Sequence, residues 1–175
     1  MKIGDILITP EQIETRVKAL AAEISRDYQT VEQPLIFVGM LKGAFIFMAD
    51  LVRHITVPTQ MDFLILSSYG DATKSSGVVR MLYDLQVDIV NRDVILVEDI
   101  VDTGLTLHYI SRELELRSPK TLKICSLLSK DECRKIDIEP DYVGFSVPDR
   151  FVVGYGLDYA QQYRNLPYIG VLEED

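Results

Sequence analysis

DVILVEDIVDTGLT, residues 93–106, combines a strand pattern, a pair of acids and a helix start within one short segment. Val94 to Val97 is a continuous apolar run, which is typical of a strand covered on both faces. Glu98 and Asp99 follow the run, and a helix is expected from Leu105 to about Arg117. A buried strand that leads directly into a helix is the repeating unit of a parallel sheet, so the segment predicts an α/β protein.

The same segment carries groups that suit a phosphorylated sugar. Glu98 and Asp99 are costly to bury without partners, which the hydroxyls of a ribose or a bound metal ion would supply. Free N–H groups at a helix start bind phosphate, and Gly104 allows close approach of the backbone. Thr103 and Thr106 add hydroxyl donors. The alternative interpretation is a solvated acid pair followed by an ordinary turn and helix cap.

The rest of the chain predicts strands that alternate with helices. Helices are expected over Pro10 to about Tyr28 and over Ala44 to about His54, whereas residues 67–77, SSYGDATKSSG, are expected to form a long mobile loop. Apolar runs predict the other strands at 35–40, 61–66, 78–85, 122–128, 142–147 and 168–172. We therefore expect a mostly parallel central sheet with helices on both faces, and ligands bound beyond the carboxyl ends of its strands.

Length, charge and cysteine content narrow the class of protein. The 175 residues suit one domain, 1–175, and a net charge of −9 argues against binding to nucleic acid or to an anionic membrane. The first residues do not resemble a signal peptide and no apolar run has membrane length, so we expect a cytoplasmic protein. Cys125 and Cys133 match no zinc or redox motif. Neither a GxxxxGK[ST] nor a GxGxxG sequence is present, which argues against kinases and dehydrogenases.

VEDIVDTGLT resembles the 5-phosphoribosyl 1-diphosphate motif of the type I phosphoribosyltransferases, with two bulky apolar residues between the acid pair and DTG-x-T. The resemblance covers nearly the whole chain and is to the hypoxanthine/guanine branch of that family. It implies the type I fold, in which the N- and C-terminal segments add a small hood to the central sheet. Leu105 stands where mammalian members carry lysine, which favours a bacterial-type member.

The resemblance also implies how the phosphoribosyl donor binds. It provides a pyrophosphate loop, a Ser-Tyr pair on a closing flap, the acid pair with its following helix start, and one arginine. A flap would exclude water, which could otherwise hydrolyse the donor. In the family the Leu–Lys peptide of the pyrophosphate loop can be cis. The implied donor-binding residues are Leu41, Lys42, Gly43, Ser68, Tyr69, Glu98, Asp99, Asp102, Thr103, Gly104, Leu105, Thr106 and Arg164.

Four residues are implied for the purine. Lys130 would donate a hydrogen bond to the 6-oxo group, and it would repel a 6-amino group because that group is itself a donor. Phe151 would stack on the base, with Val152 and Asp158 close to it. Without the resemblance, Lys130 is interpreted as an exposed loop lysine and Phe151 as a core residue.

The implied reaction joins hypoxanthine, and guanine as well, to 5-phosphoribosyl 1-diphosphate, giving IMP or GMP and pyrophosphate in purine salvage. Asp102 would be the catalytic residue, beside the imidazole part of the purine. The implied cofactor is Mg²⁺, held by Glu98, Asp99 and Asp158, directly or through ribose and water. The family usually forms homodimers or homotetramers.

Three alternatives remain open at this point. A relative that prefers xanthine or guanine would carry the same motif, because the 2-position of the base is contacted largely by backbone groups. A regulatory RNA-binding protein can use the same fold, although it would need a basic face, and the chain has no Lys/Arg cluster. A nucleotide-binding domain without catalysis would bind the ligand and release no pyrophosphate.

Overall fold

The computed structural model describes residues 2–69 and 78–173 of the chain. A six-stranded sheet lies at its centre, in the order β4-β3-β2-β5-β6-β7. All neighbouring strands of this sheet are parallel except β3 and β4, which are antiparallel. The six strands are β2 (Leu35–Leu41), β3 (Thr59–Tyr69), β4 (Val78–Tyr83), β5 (Asp93–Val101), β6 (Thr121–Ser129) and β7 (Tyr142–Ser146).

Helices cover both faces of the sheet, as the sequence predicts. Helices α1 (Pro10–Asp27) and α2 (Phe45–Val52) pack on one face in a core that includes Phe37. Helix α3 (Leu105–Glu115) packs on the other face in a core that includes Ile36. Successive residues of a strand point to opposite faces, so burial of both faces accounts for the continuous apolar runs.

The chain termini build a second, smaller sheet. It contains β1 (Lys2–Ile8), β9 (Ile169–Glu173) and β8 (Val152–Val153), all antiparallel, in the order β1-β9-β8. This sheet is the hood that the family resemblance implies. Within the described residues, no helix has the length and apolar character needed to cross a membrane.

Strand β5 is longer than the sequence predicts, and this changes the position of the acid pair. The prediction that the strand ends at Val97 is wrong, because β5 continues to Val101 and pairs with β6 along that length. Its pairing with β2 stops at Val97. Glu98 and Asp99 therefore lie inside the strand, on a part of it that has a neighbouring strand on one side only.

Other element boundaries also differ from the predictions. The predicted loop at 67–77 is wrong at its start, because β3 continues to Tyr69, where it pairs with Val78 of β4. Residues 70–77, and the side chains of Ser68 and Tyr69, lie outside the described part of the structure. The helices α2 and α3 are each shorter than predicted, and β4 ends at Tyr83 instead of Leu85.

Candidate active site

Two cavities adjoin at the carboxyl ends of β2 and β5. The larger has a volume of about 330 Å³ and the smaller about 90 Å³, and Glu98 and Thr106 line both. Predicted donor-binding residues supply much of the larger lining, together with Asp158: Leu41, Lys42, Gly43, Glu98, Asp99, Thr106, Asp158 and Arg164. The smaller cavity adds Asp102, Thr103 and Gly104.

Gly43 follows β2 at the point where three chain segments meet. The peptide bond between Leu41 and Lys42 is cis. A side chain at position 43 would overlap the carboxylate of Asp99, and a side chain at Gly156 would overlap the carbonyl oxygen of Gly43. Only glycine therefore lets the backbone of this loop lie between the acid pair and the hairpin that contains Gly156.

The acid pair lies at the boundary of the two cavities and favours a cation. Burial raises the pKa of the Glu98 carboxyl well above its ordinary value, and the negative charge of Asp99 raises it further. Asp99 Oδ1 accepts a hydrogen bond from the backbone N–H of Ile100 at 2.8 Å. Within residues 2–69 and 78–173, neither carboxylate forms an ion pair with a basic side chain. Partly buried carboxylates of this kind suit a divalent ion, which would lower the cost of ionising both.

The protein offers only part of a metal coordination shell. No three His, Cys, Asp or Glu side chains converge as a ready-made metal group in the described ranges. Mg²⁺ is commonly held by one or two carboxylates, with substrate phosphates and water completing its octahedron. Glu98 and Asp99 fit that arrangement, and their role as metal ligands stays a prediction.

The raised pKa of Glu98 gives a prediction about stability. In metal-free buffer at neutral pH, Glu98→Gln is expected to unfold a few degrees above the wild type, the shift that about 1–2 kcal/mol produces in a domain of this size. A carboxyl whose folded pKa is raised loses stability as the pH rises above its unfolded value of about 4.3. The advantage should therefore disappear below about pH 4. Thermal melting in EDTA across this pH range measures the effect.

An exposed glutamate provides the control for this experiment. Glu115→Gln on α3 removes the same charge from an exposed side chain, and it should leave the melting temperature nearly unchanged. A melting temperature of Glu98→Gln below that of the wild type at neutral pH would show that the ionised Glu98 carboxylate does not destabilise the metal-free protein.

The start of α3 has the geometry of a phosphate cradle. Gly104 precedes the helix with a φ of 82°, a left-handed conformation that glycine adopts without steric cost. Gly104 has no side chain to cap the helix, and although Leu105 N–H donates to Thr103 Oγ1 at 3.4 Å, the following N–H groups of the first turn remain for an anion. Arg134 Nη1 donates to the carbonyl oxygen of Asp102 at 3.1 Å, and Lys135 N donates to that of Thr103 at 3.0 Å. Both hydrogen bonds fix the backbone of the loop that precedes α3 through its carbonyl oxygens.

Arg164 lies at the other wall of the larger cavity. Its guanidinium donates to the carbonyl oxygen of Gly156 at 2.7 Å and forms an ion pair with Asp158 Oδ1 at 2.8 Å. Asp158 Oδ2 accepts the backbone N–H of Gln161 at 2.8 Å. Both carboxylate oxygens of Asp158 are thus engaged by protein donors, and its roles toward metal and purine remain predictions.

Gln161 is a site residue that sequence reasoning missed. Its Oε1 accepts hydrogen bonds from Lys42 Nζ and Arg164 Nη2, both at 3.2 Å. A glutamine in an irregular segment carries no chemical signature. Its position depends on a turn with positive φ values at Ala160, Gln161 and Tyr163, which the sequence does not announce.

Lys130 is buried, so its interpretation as an exposed loop lysine is wrong. Only 8% of its surface is exposed, and its Nζ lies 3.2 Å from Asp149 Oδ1. Its backbone N–H donates to the carbonyl oxygen of Val101 at 2.9 Å, which places it beside Asp102. A lysine that is almost fully buried at the end of a strand is a candidate binding residue.

Phe151 is half-exposed, so its interpretation as a core residue is also wrong. Its side chain remains 53% exposed, and its ring meets that of Tyr159 edge-on, with centroids 5.8 Å apart and planes at 88°. The next residue, Val152, is buried in β8. The carbonyl oxygen of Phe151 accepts the N–H of Leu172 at 2.8 Å, so the hood holds an aromatic ring with an accessible face. Such a ring can stack on a planar base.

Comparisons with known proteins identify the family of the chain. A family model described as the phosphoribosyl transferase domain matches residues 5–160, which is most of the chain. The chain therefore belongs to the phosphoribosyltransferase family, whose fold combines the central sheet and the hood described above.

Individual relatives narrow the resemblance within that family. The hypoxanthine-guanine phosphoribosyltransferase of Bacillus subtilis is 52% identical over 171 residues, covering 98% of this chain and 94% of the relative. That of Mycobacterium tuberculosis is 50% identical over 175 residues, covering 98% and 87%. A crystal structure of a hypoxanthine-guanine phosphoribosyltransferase from Bacillus anthracis matches with a TM-score of 0.93 at 46% identity, covering 98% and 100%. The resemblance inferred from VEDIVDTGLT is confirmed.

Proposed function

We propose that the protein is a purine-salvage enzyme that transfers the 5-phosphoribosyl group of 5-phosphoribosyl 1-diphosphate to hypoxanthine, and to guanine as well, giving IMP or GMP and pyrophosphate. One observation carries the proposal. The acid pair Glu98–Asp99 and the cradle at Thr103 to Thr106 line adjoining cavities, and the backbone N–H of buried Lys130 donates to the carbonyl oxygen of Val101, the residue before Asp102. A sugar phosphate and a 6-oxo base can therefore bind next to each other.

The donor side would stabilise the departing pyrophosphate. The bond from the anomeric carbon to pyrophosphate breaks as positive charge develops on the ribose, and Lys42 and Arg164 would bind the negative charge that forms. Glu98 and Asp99 would hold the ribose hydroxyls, and helix α3 would hold the 5-phosphate. Mg²⁺, when bound at the acid pair, would supply further positive charge for the pyrophosphate.

The base side would orient the purine and take up its proton. Lys130 would donate to the 6-oxo group, and Phe151 would stack on the ring. Asp102 would accept a hydrogen bond from the imidazole part of the base and receive the proton that the new bond to the anomeric carbon displaces. Val152 and Asp158 would contact the remaining edge of the base.

Further proposals concern the setting of the enzyme. We propose that residues 1–175 form one phosphoribosyltransferase domain, and that the protein acts in the cytoplasm as a homodimer or homotetramer. Exposed apolar side chains at Met61, Leu82 and Leu116 offer surface that a partner subunit could cover. Ser68 and Tyr69, at the end of β3, would close over the pyrophosphate.

Base selectivity tests this proposal. Pyrophosphate release measured in parallel with hypoxanthine, guanine, xanthine and adenine is expected to be fast with the first two and negligible with adenine. Activity with xanthine alone would support the xanthine-preferring alternative. Ligand binding without pyrophosphate release would support the non-catalytic alternative, and tight RNA retention in a filter-binding assay would support the RNA-binding alternative.

Lys130→Met tests the residue that is proposed to select the base. Methionine keeps most of the length of the side chain and removes the charged donor. The kcat/KM for hypoxanthine is therefore expected to fall about 10- to 150-fold, which corresponds to a charged hydrogen bond of about 1.5–3 kcal/mol. Lys135→Met, at an exposed lysine of the following segment, is the matched control and should change little. Unchanged kcat/KM in Lys130→Met, or activity of the wild type with adenine only, would overturn the role of Lys130.

A further inference from the structure

The side chain of Gln161 joins the two cations that face the proposed pyrophosphate position. Its Oε1 accepts from Lys42 Nζ at 3.2 Å and from Arg164 Nη2 at 3.2 Å. The ammonium and the guanidinium are therefore within two hydrogen-bond lengths of each other. Like charges at this spacing repel, and an acceptor oxygen placed between them offsets part of that repulsion.

The chain holds Gln161 at this place through a local network. Its backbone has a φ of 65°, which is uncommon for a residue with a side chain and persists only where surrounding contacts fix it. The fixing contact is the hydrogen bond from Gln161 N to Asp158 Oδ2 at 2.8 Å, while Asp158 Oδ1 pairs with Arg164 at 2.8 Å. The same turn thus orients both the guanidinium and the amide oxygen that it contacts.

We infer that Gln161 is a positioning residue for pyrophosphate, a neutral acceptor that holds Lys42 and Arg164 together and adds no negative charge beyond that of Asp158, which already pairs with Arg164. The inference rests on the proposed function, which gives Lys42 and Arg164 to the pyrophosphate side of the site. An amide oxygen offers its lone pairs to both cations without cancelling either charge. Two donors already converge on the amide oxygen of Gln161. An oxygen of pyrophosphate can take the place of this amide oxygen between them.

Neutrality is the property that separates this role from a structural one. A carboxylate at position 161 would hold the two cations at least as firmly, since charge-assisted hydrogen bonds are the stronger kind. It would also neutralise them and place a negative charge next to the anion. A purely structural bridge would therefore work well with glutamate, whereas a neutral acceptor for anion binding would not.

Two variants at position 161 and one control test the inference. Gln161→Glu adds the charge at nearly constant shape, and Gln161→Leu removes the acceptor. Gln162→Glu adds the same charge one residue further on, at an exposed side chain that makes no hydrogen bond among the described residues. Titration calorimetry with inorganic pyrophosphate in excess Mg²⁺ gives the dissociation constant, and thermal melting checks that each variant is folded.

We expect the pyrophosphate dissociation constant to rise about tenfold or more in Gln161→Glu, by a smaller factor of about 3 to 5 in Gln161→Leu, and less than about twofold in Gln162→Glu. The KM for 5-phosphoribosyl 1-diphosphate should follow the same order. Equal affinity in wild type and Gln161→Glu would overturn the inference, because the bridge would then be structural. So would equal affinity in wild type and Gln161→Leu.

Arg164→Leu distinguishes failure of this inference from failure of the proposed function. If Arg164→Leu weakens pyrophosphate binding while the Gln161 variants do not, the pyrophosphate site stands and only the role of Gln161 is wrong. If Arg164→Leu leaves binding unchanged, both the pyrophosphate site and the role of Gln161 are wrong.

Discussion

Asp102→Asn is expected to slow turnover by about 10²–10⁴-fold, the usual contribution of a positioned acid–base group. The carbonyl oxygen of Asp102 is held by Arg134 and the preceding Val101 by Lys130, so the backbone of the loop should keep its place in the variant. Asparagine has nearly the same shape and still offers an acceptor oxygen, but it cannot take up a proton. The loss should therefore appear in kcat more than in the KM of either substrate.

Steady-state kinetics with hypoxanthine, together with thermal melting, measure this effect. Asp137→Asn is the matched control, because this substitution removes the same charge from an exposed aspartate of the neighbouring segment. Full activity in Asp102→Asn would show that Asp102 has no acid–base role. A large loss of activity accompanied by a large fall in melting temperature would instead identify Asp102 as a structural residue.

Removal of divalent metal is expected to abolish turnover, with activity restored by excess Mg²⁺. The cavity places Glu98 and Asp99 together, and burial and mutual repulsion already raise the pKa of Glu98. A substrate that carries a diphosphate and a phosphate cannot bind beside two unneutralised carboxylates without strong repulsion. A divalent cation would neutralise the two carboxylates and attract the substrate phosphates. Its loss should therefore weaken substrate binding and slow turnover together.

Activity after dialysis against EDTA, with and without added MgCl₂, tests the requirement. Chelator already saturated with Mg²⁺ is the control for direct effects of EDTA. Undiminished rates in free chelator would remove the metal from the mechanism. Isothermal titration with MgCl₂ should also show weaker binding in Glu98→Gln, the variant that is expected to be more stable without metal.

The sequence predicted the layered fold because its strongest signals are local. The apolar runs at Leu35 to Met40 and Val94 to Val97 are too continuous for a strand with one solvated face, and they became β2 and β5. Strand β1 was missed because its side chains alternate only weakly between buried and exposed. Its partner β9 comes from the other end of the chain, and no local pattern reports such a pairing.

The acid pair shows why a strand boundary cannot be taken from polarity alone. Glu98 and Asp99 interrupt the apolar run, which normally marks the end of a buried strand. The backbone of β5 nevertheless continues to pair with β6 up to Val101, whereas its pairing with β2 ends at Val97. The cavity lies on the side of β5 where β2 is no longer paired. The sequence drew attention to Glu98 and Asp99, but it could not show that a strand, and not a loop, carries them.

For the other proposed site residues, burial and contacts depend on position in the fold and could not be predicted from residue type. Lys130 and Phe151 were assigned to the purine by resemblance, since residue type alone suggested the opposite burial for each. The structure buries Lys130 to 8% exposure and leaves Phe151 at 53%. Gln161 had no signal at all, because its contact with Lys42, 119 residues away in sequence, depends on a turn with positive φ values that residue type does not indicate.

Gly43 contacts both Asp99 and Gly156, which are far from it and from each other along the chain. During synthesis, the segments that contain residues 43 and 99 leave the ribosome well before residue 156 does. A nascent chain of that length can pair β2 with β5, but its loop at residues 41–43, which we propose binds pyrophosphate, cannot yet contact Gly156. Pyrophosphate binding would therefore be acquired late in folding. A measurement of pyrophosphate binding would indicate a completely folded chain, whereas a measurement of sheet formation would not.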